Sequence, residues 1–174
     1  AATEGTSRGA IDVSSWVGRL AKAVKEFREN DRLSAVTEIA QARLLAVAIR
    51  LRSDLSAEEQ DRLLALWEKV SFRIYGMIGK DSRTKVGDYT RLAWQCENEK
   101  LSASSLEARI RKLGADHPVE TAIAALRDEN CYEEWQSELR YLLFRYEEHL
   151  SMKRGQTFKS EQWKRIWAET AAKS

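Results

Sequence analysis

Residues 130–155 read NCYEEWQSELRYLLFRYEEHLSMKRG, and their spacing decides the fold class. Tyr132, Trp135, Leu139, Leu142, Leu143, Tyr146 and Leu150 recur mostly three or four positions apart. That step lays them along one face of an α-helix, whereas a half-buried strand would need alternation. Asn130 suits the cap that opens such a helix, and Gly155 suits its end. Leu139, Leu143, Tyr146 and Leu150 are the expected core contacts.

The same period recurs through the rest of the chain. A first helix is expected over 13–29, with Asp12 or Ser14 as cap and Trp16, Leu20, Val24 and Phe27 facing inward. A second is expected over 32–52. Its second half, LLAVAIRL, is apolar on nearly all sides and should be the most buried segment. Ser56 with Glu59 three residues later forms a capping box that opens a third helix. Leu63, Trp67, Val70, Ile74 and Met77 make its stripe, and Gly79 stops it. Further helices are expected over 83–100, over 104–113 with Gly114 as terminal cap, and over 119–127 with Pro118 in the first turn. A last one opens at Ser160 and carries Trp163 and Trp167.

One proline and eight glycines among 174 residues leave few points where a helix must break. The fold class is therefore all-α, an irregular bundle of about eight helices with no sheet. Residues 1–10 read as a loose, flexible end. Residues 11–174 read as one helical domain, with a division near 82 or 114 left open.

Composition excludes several function classes. The 29 basic and 27 acidic residues nearly cancel, so the chain has no overall nucleic-acid signature, although a local basic patch remains open. No apolar run approaches the ~20 residues that span a bilayer. Cys96 and Cys131 lack ligand spacing and read as reduced thiols of a cytoplasmic protein. Phosphate-loop, dinucleotide-binding, HExxH and GxSxG motifs are absent. His117 reads as a turn residue and His149 as a helix-end residue, neither with a positioned partner.

Three features carry charge worth following. Arg73 falls on a largely apolar face with Leu66, Val70 and Met77. It needs either a carboxylate on another helix, such as Glu147, or a phosphate. Of the adjacent acids Glu147 and Glu148, the first should lie at the margin of the apolar stripe and the second in solvent. Lys153, Arg154, Lys159, Lys164 and Arg165 surround Phe158, Trp163 and Trp167. Basic residues interleaved with aromatics can form a nucleic-acid edge, and Trp163 with Trp167 can equally be a packing stripe.

Three segments together resemble a known family. They are the helix ending Phe72, Arg73, Ile74, Tyr75 with Gly76 or Gly79; the helix YTRLAWQC; and ELRYLLFRYEEHL before a loop and a Trp-containing helix. This order resembles the helical region of GmrSD-type, modification-dependent restriction endonucleases. The resemblance spans roughly residue 33 to the end and is best over 139–148. It implies a ParB-like nucleotide-hydrolysing domain with a DGQQR-like motif before this region, and an HNH nuclease domain with an IEHILPQ-like motif after it. Neither motif occurs in this sequence, so no family catalytic residue is carried over.

The chain opens AATEGTSRG without Met and ends near where the nuclease motif is expected, so it reads as a piece of a longer protein. By itself it is expected to be non-catalytic, with no cofactor, cofactor-binding residue or metal ligand of its own. The parent would use a nucleotide and a divalent metal in phage defence. The expected partners are the flanking domains and double-stranded DNA, with no membrane. Arg73, Lys153, Arg154, Lys159, Lys164 and Arg165 are the candidate nucleic-acid or interdomain contacts. The alternative is a self-contained helical interaction or regulatory module.

Overall fold

The computed structural model describes residues 3–30, 33, 36, 38–128, 133 and 137–157. Among these there are seven α-helices and no strand: α1 Thr3–Arg28, α2 Ala40–Leu51, α3 Ala57–Ser71, α4 Val86–Asn98, α5 Ala103–Leu113, α6 Val119–Asp128 and α7 Ser137–Lys153. A π-helical segment, Phe72–Met77, continues α3. The helix expected from Ser160, together with Lys159, Lys164 and Arg165, lies outside the described residues.

The apolar run in α2 places that helix at the centre, where it packs against α1, α3 and α4. Leu45, Ala46 and Ile49 are fully enclosed. Trp67 of α3 fills the space beside them. Its indole N–H donates to the Ala42 carbonyl at 2.9 Å, and its ring meets Phe27 of α1 edge-on. Helix α5 rests on α3 and α4, and α6 rests on the π segment.

The punctuation of the sequence holds. Ser56 and Glu59 form the reciprocal capping box that opens α3. Gly79 and Gly155 take the left-handed conformation, φ +62° and +70°, at the two helix ends assigned to them. At Gly155 the N–H groups of Gly155 and Gln156 satisfy the last carbonyls of α7, those of Met152 and Ser151.

Three expectations are corrected. Helix α1 begins at Thr3 and not near residue 13, so Asp12 and Ser14 lie within it and not at its start. Its stripe is buried only in the second half: Trp16 is exposed, and Ala23 and Phe27 reach the core. The helix expected over 32–52 is interrupted, because Glu38 and Ile39 form a bend and Ile39 has extended backbone. Leu33 and Val36 still reach the core ahead of that bend, whereas Leu44 is exposed.

The third correction concerns α7, which is rotated relative to expectation. Leu143 is 48% exposed and Tyr146 57%, while Tyr141 and Phe144 are buried. Polar anchoring selects this face. The Tyr141 hydroxyl donates to the buried carboxylate of Glu68 in α3, and Arg145 reaches the same carboxylate at 3.3 Å. The Tyr141 ring also packs on Phe72, with ring centroids 4.2 Å apart. Among the acids the order reverses as well. Glu148 is partly buried and paired with Arg145, and Glu147 is exposed.

Candidate nucleic-acid interface

The sequence's candidate cations separate by environment. Arg73 projects from the π segment and donates from Nη2 to the Gly114 carbonyl at 3.0 Å. It thereby supplies a cation and a donor at the C-terminal end of α5, where the helix dipole is negative. Among the described residues it forms no ion pair to Glu147 or another carboxylate. Gly114 is the C-terminal cap of α5, as expected, and holds that place at φ −98° with its N–H on the carbonyls of Arg111 and Lys112. A Cβ at this position would stand 2.2 Å from Arg73 Nη2 and 3.1 Å from Val70, so the position needs glycine for close approach.

Lys153 and Arg154 lie exposed at the C-terminal end of α7, and Arg73 makes no bond to them. The remaining candidates, Lys159, Lys164 and Arg165, fall outside the described residues. Arg73 is therefore occupied structurally, and of the described candidates only Lys153 and Arg154 are open to solvent.

Sequence reasoning missed a second basic surface. Helices α4 and α5 diverge to leave an open cleft of about 660 Å³, with Leu92 and Leu113 among its lining residues. Lys85 and Arg91 line it from the α4 side, Arg109 and Lys112 from α5. Lys85, at the start of α4, has φ +57° and an ion pair to Asp116 at 2.8 Å. That pairing, aided by the His117 ring, holds the Asp116 carboxyl down to about 2. Asp88 pairs with Arg91 at 3.6 Å. Arg109 is steadied by the neutral side-chain oxygen of Gln95. A spacing signal existed, since Arg109 and Lys112 lie three apart on α5 and Asp88, Arg91 and Gln95 step along one face of α4. Which faces would meet required the packing.

A second missed residue is Arg52. It is 1% exposed, at the end of the most apolar helix. Its guanidinium makes two 2.7 Å bonds to Asp54 and also donates to the carbonyls of Cys96 and Leu101. It thus ties α2 to the last turn of α4, where the Cys96 carbonyl needs a donor, and to the connection that follows at Leu101. The Arg52 guanidinium in turn holds the Asp54 carboxyl at about 2.

The reactive side chains are arranged for structure. Burial pushes the Cys96 thiol up, which keeps it protonated and a poor nucleophile. Burial also pushes up the Tyr89 phenol, whose oxygen bonds Ser71 at 2.9 Å. His117 is buried and bonded to Asp116, and His149 is exposed. Among the described residues no group of three or more His, Cys, Asp or Glu stands where it could hold a metal ion. No described helix is long and apolar enough to cross a membrane. No protein-family model, curated protein or solved structure matches the chain.

Proposed function

We propose that this chain is the helical, non-catalytic part of a larger GmrSD-like endonuclease that restricts modified foreign DNA in the cytoplasm. In that role it links and orients a nucleotide-hydrolysing domain and an HNH domain, which would hold the nucleotide and the divalent metal. It also contacts DNA.

The observation that supports this reading is the two-sided character of α7, the segment with the best resemblance. One side is fixed to α3 through Glu68, Tyr141 and Arg145. The other presents Leu143 and Tyr146 to solvent. A helix held firmly on one side and apolar on the other is suited to carry a neighbouring domain.

The test is the parental reading frame. An HNH motif encoded just beyond Ser174, with a DGQQR-like motif upstream, is the expected result. A stop codon directly after Ser174 would sink the reading. The same exposed apolar side favours a second reading, a self-contained interaction module, and that stop codon would select it.

A further inference from the structure

We infer that the cleft between α4 and α5 binds the phosphodiester backbone of a nucleic acid, with Arg109 and Lys112 as its principal contacts. The choice of ligand class rests on the DNA-handling reading above; the location rests on the cleft itself.

Four cations and two carboxylates line the opening. The carboxylates are both engaged, Asp116 by Lys85 and Asp88 by Arg91. Arg109 and Lys112 are thus left without a carboxylate partner among the described residues. Arg109 is the better placed of the two. Gln95 fixes one terminal nitrogen, which orients the planar fork and leaves its other donors for a ligand. A guanidinium held in this way matches a phosphate group, and its ordering cost is met before binding.

An exposed aromatic distinguishes this surface from a simple acidic-peptide groove. Trp94, 58% exposed, follows Arg91 by one turn of α4 and lies outside the residues that line the cleft itself. A solvent-facing indole beside a row of cations is the arrangement on which bases stack while the backbone is neutralised. Duplex and single-stranded DNA share the phosphodiester chemistry, and the experiment separates them.

The experiment is fluorescence anisotropy of the full chain with a labelled duplex and the matching single strand, each titrated over a range of salt. Arg109→Gln/Lys112→Gln should weaken binding and lower the slope of log affinity against log salt by about two; Lys112→Gln alone should lower it by about one. Circular dichroism verifies that each variant is folded. The form bound more tightly by the wild type identifies the source of the phosphodiester. Unchanged affinity and slope in the folded double variant would overturn the inference. So would failure of the wild type to bind either DNA, or equal binding of polyglutamate. Loss of binding only in Lys153→Gln/Arg154→Gln would place the contact at the end of α7 and overturn it as well.

Discussion

Arg73 and Gly114 are matched to each other: the guanidinium closes the end of α5 only because residue 114 has no side chain. Gly114→Ala should displace Arg73 and cost about 1–2 kcal/mol, the scale of a lost hydrogen bond plus a crowded contact with Val70. Arg73→Ala should cost a similar amount. The double variant should lose less than the two together, because both substitutions remove one interaction. Urea denaturation of the four proteins checks this. Arg73→Ala should also leave DNA affinity unchanged, as expected of a structural cation.

The rotation of α7 makes a contrast between neighbours. Phe144→Ala removes a buried ring and should cost about 3–5 kcal/mol. Leu143→Ser alters an exposed residue and should stay within about 0.5 kcal/mol of the wild type. Thermal melts of the two variants are sufficient. Equal losses would restore the face expected from the sequence.

Glu68 is a carboxylate only 4% exposed, held by Tyr141 and Arg145. Tyr141→Phe should cost about 1–3 kcal/mol, the loss of one hydrogen bond to a charged group. Arg145→Met should cost more, about 3 kcal/mol, because it strands a buried charge. Glu68→Gln combined with Arg145→Met should recover part of that loss. Chemical denaturation measures all three.

The Asp54 carboxyl is held at about 2 by Arg52, and the Asp116 carboxyl at about 2 by Lys85. Both folded values lie below the ordinary carboxylate value. Their contribution to stability is therefore fully present above about pH 4 and lost as pH falls toward 2. Asp54→Asn should lower stability at pH 6 and should flatten the decline between pH 4 and 2. Melting curves across that interval show whether the two slopes differ.

The helices that announced themselves in the sequence did so through local chemistry. The Ser56–Glu59 box and the Gly79 and Gly155 stops need only neighbours a few residues away. The face that α7 buries was not legible, because YLLF is apolar on every side and its period cannot select a direction. Glu68 selects it from another helix. Arg52 was hidden for a related reason: nothing local says that an arginine ending an apolar helix will find the carbonyls of Cys96 and Leu101. For Arg73 the need for a partner was readable, and its identity as a backbone carbonyl was not. The basic cleft depends on α4 and α5 meeting, which is a property of packing.

The central claim is that this chain holds DNA without cutting it. The most direct measurement incubates it with an end-labelled duplex and Mg²⁺ and runs the mixture on native and denaturing gels. The account predicts a retarded band on the first and full-length strands on the second. Shortened strands, or no retardation at all, would contradict it.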